Sequence, residues 1–419
     1  MFALVDANSF YCGVETVFRP DWRGKPLITL SNNDGAIVSL TRQAKELGIT
    51  KFTPYFQIKD LCDKHGVIVC SSNYELIADI SGKVMNIIGR FAPEHYCYSI
   101  DEMFLSFKNT SSAIPCLETQ GRLIRRSVWR EARIAVCVGI GETLTLAKVA
   151  NHAAKKMRGY EGVCLISTDD ERISILKQLS VGDVWGIGRR LSKKLELMNI
   201  RNAYELACMP PSLARKQFNI EVERTVRELN GQVCKKWDEV KADKKQIFST
   251  RSLGQRITDY DLLLQALSKH VAIAAAKARK QGSTCKIMVL FASNSPHDDR
   301  PQSFKEVVHF PCPTNCSVQL TKAMSKVANR LYRENVQYYR VGVGLLELGN
   351  EKFDQYDLFT RRTDNPALMG ALDSINAKYG TNTLFLAAQG IEQKWAMRRN
   401  FLSPQYTTRW KDIPIIKCK

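Results

Sequence analysis

The spacing of apolar residues changes along the chain, and each change predicts a different set of elements. Up to residue 167, short continuous apolar runs at 2–5 and 26–29 predict buried strands, while helical spacing predicts helices over 41–47 and 74–91. Two strand-like runs, 98–106 and 135–140, flank an amphipathic stretch over 117–129, a β-α-β rhythm that one sheet can hold. Residues 168–238 lose the strand signal and read as short helices punctuated by Pro210-Pro211 and by Gly186 and Gly188. A polar, basic stretch at 241–245 predicts a linker. After it, strand runs at 246–254, 286–292, 304–309 and 339–346 and helices over 260–281 and 317–335 spell β-α-β-β-α-β. From Gly349 the pattern is mixed and rich in Arg and aromatic residues. The expectation is an α+β multidomain protein, since 419 residues exceed one ordinary core and suit about three or four domains.

Composition narrows the class. No apolar stretch approaches the ~20 residues of a membrane span, and the opening Met1-Phe2-Ala3-Leu4-Val5 reads as a buried strand and not a signal peptide, so a cytoplasmic protein is expected. The thirteen cysteines are scattered, mostly within apolar runs, and read as reduced thiols. His309, Cys312 and Cys316 come nearest to a zinc pattern, but no second Cys/His pair follows at finger-like spacing. Lys and Arg outnumber Asp and Glu by 61 to 42, a formal charge of +19, which predicts a polyanionic partner.

Three acids interrupt apolar runs. Asp6 ends the first strand where it enters a polar turn, and Asp101-Glu102 break the run at 98–106, where buried charge is costly without a partner. A bound cation is one such partner; a turn cap or a surface lysine is the bland alternative for each acid alone. Adjacent strand residues face opposite sides, so Asp101 and Glu102 can share a site only at a bend or strand end.

The setting of these acids resembles the Y-family translesion DNA polymerases. The matching segments are Asp6-Ala7-Asn8-Ser9-Phe10-Tyr11 and Ser99-Ile100-Asp101-Glu102. The likeness extends over almost the whole chain and is greatest to the UmuC-type branch, through Phe18-Arg19-Pro20, Leu30-Ser31-Asn32-Asn33-Asp34-Gly35, Ser71-Ser72-Asn73-Tyr74-Glu75, Asn151-His152-Ala153-Ala154-Lys155-Lys156 and Asp183-Val184-Trp185-Gly186-Ile187-Gly188-Arg189-Arg190. The resemblance implies a right-hand polymerase: a ferredoxin-like palm (1–11 and 74–167), small helical fingers (12–73), a thumb with a helix-hairpin-helix (168–240) and a β-α-β-β-α-β little finger (241–348). A C-terminal region with a clamp-binding peptide (349–419) would follow.

Carried onto this chain, the resemblance makes Asp6, Asp101, Glu102 and the main-chain carbonyl of Ala7 ligands of two Mg²⁺ ions, with a primer 3′-hydroxyl as nucleophile. Phe10 and Tyr11 would lie at the nucleotide, Tyr11 as a steric gate beneath the deoxyribose. Ser39, Lys45 and Lys155 would meet the triphosphate. Gly186, Gly188 and Arg189 of the hairpin turn, with Arg251 and Arg256 of the little finger, would contact DNA phosphates without reading sequence. Gln355, Leu358 and Phe359 would anchor the tail in a sliding clamp. The implied partners are primed DNA template, deoxynucleoside triphosphates, the sliding clamp, a cleaved UmuD-type dimer and a RecA-type filament, in error-prone synthesis during the SOS response. Asn8 is what UmuC-type members themselves carry, whereas Leu144 stands where relatives often have lysine. The competing readings are a catalytically weak damage-binding factor that occupies primer ends and a cyclase-like two-metal enzyme. The first needs no carboxylates, and the second needs no hairpin turn or clamp peptide.

Overall fold

The computed structural model describes residues 1–110, 113–114, 116–237, 243–353 and 364–415, and the chain divides into two units. Residues 1–31, 35–239 and 400–419 make the first, and residues 32–34 and 240–399 the second.

The first unit opens with β1 (Phe2–Ala7) and α1 (Phe10–Phe18), followed by β2 (Leu27–Leu30), β3 (Ile37–Leu40), α2 (Arg42–Glu46), α3 (Tyr55–Lys64) and β4 (Ile68–Ser71). Next come α4 (Tyr74–Gly89), β5 (Glu94–Cys97), β6 (Glu102–Ser106), α5 (Leu117–Ala132), β7 (Val136–Gly141), α6 (Leu144–Lys156) and β8 (Val163–Leu165). The helices α7 (Asp169–Gln178), α8 (Arg189–Leu197), α9 (Ala203–Ala207), α10 (Pro211–Gln217) and α11 (Ile220–Leu229) complete it. The segment expected to form helical fingers also holds a small sheet, β3-β2-β4. The short runs 37–40 and 68–71 are fully formed strands that the apolar pattern alone does not separate from helix.

The main sheet runs β5-β6-β1-β7-β8, with β1 antiparallel to both neighbours. As its central strand β1 is covered on both faces, which explains its unbroken apolar run. The pleat sorts its neighbours. Ala3, Val5, Met103, Leu105, Val136 and Val138 share a core with α4 and α5, while Leu4 and Phe104 pack with Leu144 and Ala147 of α6. Leu144 is therefore a buried apolar contact at the start of α6.

In the second unit β9 (Ile247–Ile257), α12 (Tyr260–Gln281), β10 (Ser283–Ser293), β11 (Ser303–Thr314), α13 (Ser317–Val327) and β12 (Tyr338–Asn350) follow the expected β-α-β-β-α-β order, with sheet order β11-β10-β12-β9. The C-terminal region does not stand apart as one module. α14 (Pro366–Tyr379) is held to α12 by the Arg279–Asp373 ion pair at 2.7 Å, and Trp395 is buried in this unit's core, whereas residues 400–419 belong to the first unit. Among the described residues the cysteines are all free and no helix is long and apolar enough to cross a membrane. His309, Cys312 and Cys316 form no metal-holding group there.

His270 of α12 lies inside this core with Nδ1 2.9 Å from Ser249 Oγ. Burial pushes its imidazole down to about 4, and Arg251, Lys277 and Lys269 push the same way. The unfolded chain takes up this proton near 6.5, the folded chain only near 4, so the contribution is complete above 6.5 and is lost as pH falls between those values. Lowering the pH from about 7 to about 5 is expected to cost roughly 2 kcal/mol through this group, a loss that His270→Gln removes from the pH dependence of denaturant unfolding.

Candidate active site

The main sheet brings two carboxylates together. Asp6 and Glu102 are directly opposed across the antiparallel β1–β6 pair, and opposed residues project from the same face. By the pleat it is the face of Leu4 and Phe104, against which α6 packs. Asp101 belongs to the tight bend joining β5 to β6, where Tyr98 and Ser99 N–H groups both donate to the Glu102 carbonyl. The bend removes the objection that neighbouring strand residues face apart. Ser99 Oγ donates to the Asp101 carboxylate at 2.6 Å, and the Ala7 N–H donates to the Asp101 carbonyl at 2.9 Å, joining the two acidic motifs through the backbone.

Helix α6 supplies the counter-charges. Lys155 Nζ is ion-paired with Asp6, and Lys148 Nζ donates to both oxygens of Glu102 at 3.1 and 3.2 Å. Burial pushes the Asp6 carboxyl up to about 6; Lys155 opposes that rise and the Glu102 charge adds to it. Lys148 also lies 4.3 Å from the centre of the Tyr98 ring and 5.4 Å from that of Trp185, whose indole N–H donates to Tyr98 Oη at 3.1 Å. Lys148 was not anticipated from the sequence. Its signal is the seven-residue spacing to Lys155, two helical turns on one face.

α6 lies this close because Gly139 of β7 has no side chain. A Cβ there would come within 1.9 Å of the Asn151 nitrogen and 2.5 Å of the Ala147 carbonyl oxygen. Asn151 Nδ2 donates to the Leu4 and Cys137 carbonyls, tying the same helix to β1 and β7.

Tyr11 on α1 is half-buried and meets Tyr74 edge-on at 6.3 Å between ring centres, with Phe10 buried beside it. Burial raises its phenol above the ordinary value, with further contributions from Tyr74 and the Asp101 charge, which puts Tyr11 within electrostatic reach of Asp101. The other expected contacts are placed differently. Ser39 is buried in β3 with its hydroxyl beside the Cys12 thiol, and Lys45 is exposed in the last turn of α2. Gly186 has φ +91°, a left-handed conformation suited to glycine, and Gly188 caps α8, whose first residue is Arg189. Arg251 is exposed on β9, while Arg256 is engaged by both oxygens of Asp298 at 2.7 and 2.8 Å. Gln355, Leu358 and Phe359 lie outside the described residues.

A sheet with carboxylates at one end, a helical module and a four-stranded domain is the organisation of a Y-family polymerase. The insertion ternary complex of Dbh DNA polymerase superposes with a TM-score of 0.53 over 83% of this chain and 99% of its own, at 19% identity. A Dbh-Dpo4-Dbh Y-family chimera reaches 0.63 over the same shares, also at 19%. Residues 5–152 match the impB/mucB/samB family model, 169–200 the IMS family HHH motif, 244–358 the impB/mucB/samB family C-terminal domain, and 366–416 a domain of unknown function, DUF4113. Protein UmuC of Salmonella typhimurium is 41% identical over the full length of both chains, and Protein SamB from the same organism 38%. DNA polymerase IV of Bacillus anthracis is 26% identical over 93% of each. The chain belongs to the impB/mucB/samB family, as a UmuC-type Y-family DNA polymerase.

Proposed function

We propose that this translesion polymerase extends primers on damaged templates with low fidelity, in the mutagenic synthesis of the SOS response, by two-metal nucleotidyl transfer to the primer 3′-hydroxyl. The observation that carries the reading is the convergence of Asp6 and Glu102 on one face, beside the Asp101 bend, with each strand carboxylate held by a lysine of α6.

No three His, Cys, Asp or Glu side chains among the described residues are gathered tightly enough to hold an ion as they stand. The donor set nevertheless fits a hard divalent cation, which takes oxygen ligands, and the Asp6 carboxyl, raised by burial even with Lys155 beside it, is one whose ionised form a further cation would favour. Asp6, Asp101, Glu102 and the Ala7 carbonyl would hold two Mg²⁺ ions. When bound, such ions lower the pKa of an attacking hydroxyl and neutralise charge on transferring phosphoryl oxygens. The chain's own groups bind and orient. Lys155, exchanging Asp6 for a triphosphate oxygen, and Lys45 supply positive charge, and Tyr11 closes the space beneath the sugar. Ser39, being buried, reaches a phosphate only if β3 moves. The hairpin at Gly186–Arg189 and the exposed Arg251 are offered to the DNA backbone, and Arg256 must first exchange Asp298 for phosphate. The sliding clamp, a cleaved UmuD-type dimer and a RecA-type filament complete the proposal as partners, and the cytoplasm as its place.

The test supplies primed template, deoxynucleotides and Mg²⁺. Metal-dependent extension is expected, and its absence even with those partners added would overturn the reading. The sugar contact has its own test. Tyr11→Ala is expected to raise ribonucleotide incorporation relative to deoxynucleotide by roughly 10- to 100-fold, measured as the ratio of the two kcat/KM values. An unchanged ratio would remove Tyr11 from the gate.

A further inference from the structure

The segment that crosses back into the first unit at Asn400 is bound there by an unusual density of specific contacts. Asn73, fully buried as N-cap of α4, accepts from the Leu76 N–H through Oδ1. Its Nδ2 is turned outward to the Ser403 carbonyl at 3.0 Å, Ser403 Oγ at 2.9 Å and the Pro404 carbonyl at 3.2 Å. The Ser71 N–H donates to the Phe401 carbonyl at 2.9 Å, and the Phe401 N–H donates back to Ser71 Oγ at 3.0 Å, so the segment is fastened to the last residue of β4. Ser403 Oγ donates to the Glu15 carboxylate of α1 at 2.9 Å. Phe401 meets Tyr55 edge-on at 5.6 Å, and Tyr406 stacks on Phe18 at 4.6 Å.

The contacts at Glu15, Phe18 and Asn73 fall on α1 and on the N-cap of α4, the two helices that carry the aromatic pair of the active site. Glu15 and Phe18 stand four and seven residues after Tyr11, along one face of α1. Asn73 immediately precedes Tyr74, which packs on Tyr11. Ser403 therefore bridges α1 and α4 within two turns of the Tyr11–Tyr74 contact. Glu15 is 1% exposed and its carboxyl is pushed up to about 7 by burial, the Ser403 hydroxyl acting against that rise. Without Ser403 this acid would be left buried with one hydrogen bond fewer.

We infer that residues 400–406 are a clasp that fixes the spacing of α1 and α4, and that Ser403 and Tyr406 are positioning residues for the Tyr11–Tyr74 pair against the incoming nucleotide's sugar. The inference rests on the reading of Tyr11 as the sugar contact. It assigns residues 400–406 to nucleotide selection.

The experiment compares the full chain with Ser403→Ala, with Tyr406→Ala and with a chain ending at Arg399. Steady-state extension gives kcat and KM for deoxynucleotide and ribonucleotide. Hydrogen exchange follows the amides of α1 and of the first turn of α4. For Ser403→Ala, KM for deoxynucleotide is expected to rise about five-fold with kcat little changed, on the scale of one or two lost hydrogen bonds. Sugar discrimination should fall and exchange in both helices should quicken. The truncated chain should show the same changes, larger, with primer-template affinity retained. Unchanged KM, discrimination and exchange in all three variants would overturn the clasp. If Tyr11→Ala leaves discrimination intact while Ser403→Ala still quickens exchange in α1 and α4, the clasp stands and the gate reading falls. If exchange is unaltered while Tyr11→Ala relaxes discrimination, the gate stands and the clasp falls.

Discussion

Asp101→Ala is expected to reduce Mg²⁺-dependent primer extension by at least about 100-fold, the scale on which removing one charge-stabilising group at a reacting phosphate or carbonyl is felt. The fold should survive. Asp101 is partly exposed at a bend, its side chain accepts only from Ser99 among the hydrogen bonds described, and its structural contact to Ala7 runs through the backbone carbonyl, which alanine keeps. Single-turnover extension with excess enzyme, beside a thermal melt, separates the two effects. A melt unchanged within a few degrees together with wild-type extension would remove Asp101 from the reaction. Asp6→Ala is a poorer test, because it also leaves Lys155 without its ion-pair partner inside the same cleft.

Gly139→Ala is expected to cost roughly 3 kcal/mol or more, at the upper end for overpacking, and to depress extension along with it. The added methyl would meet backbone, the Asn151 nitrogen and Cα and the Ala147 carbonyl, and no side chain can rotate to relieve it. Relief requires α6 to move off β7. Lys148 and Lys155 would move with it, away from Glu102 and Asp6. Denaturant unfolding measures the first effect. The matched control is Gly82→Ala on α4, where nothing lies within 4 Å of the new methyl and an exposed helix interior should gain about 0.5 to 1 kcal/mol. Equal stability of the two variants would show that the close approach is not required.

Much of this was legible in one dimension because the physics is local. The alternation and length of apolar runs depend on which face of a strand or helix is covered, and so β9 to β12, α12 and α13 follow the order read from residues 246–346. The limits differ mainly at ends, as at α13, which stops at Val327 and passes into a short 3-10 turn. The small sheet β3-β2-β4 was less legible. Four-residue strands carry too few positions to display a period, and only pairing, parallel for β2 with β4, makes them strands. The C-terminal region looked like one module because sequence continuity suggests it. Trp395 and Ser403 instead each find buried partners in a different unit.

Taken by itself, the sequence determined the order of the elements, the basic character of the chain and the motifs that carry Asp6, Asp101, Glu102 and Tyr11. Those follow from residue type and near-neighbour spacing. Only the tertiary structure decided that Asp6 opposes Glu102 across two strands, that Lys148 joins Lys155 in neutralising the pair, and that Ser403 closes on Asn73 from 330 residues away. Such contacts are set by strand register and by how closely a helix can approach a sheet. In this protein that approach depends on the missing side chain of Gly139, whose consequence appears only when α6 is laid over it.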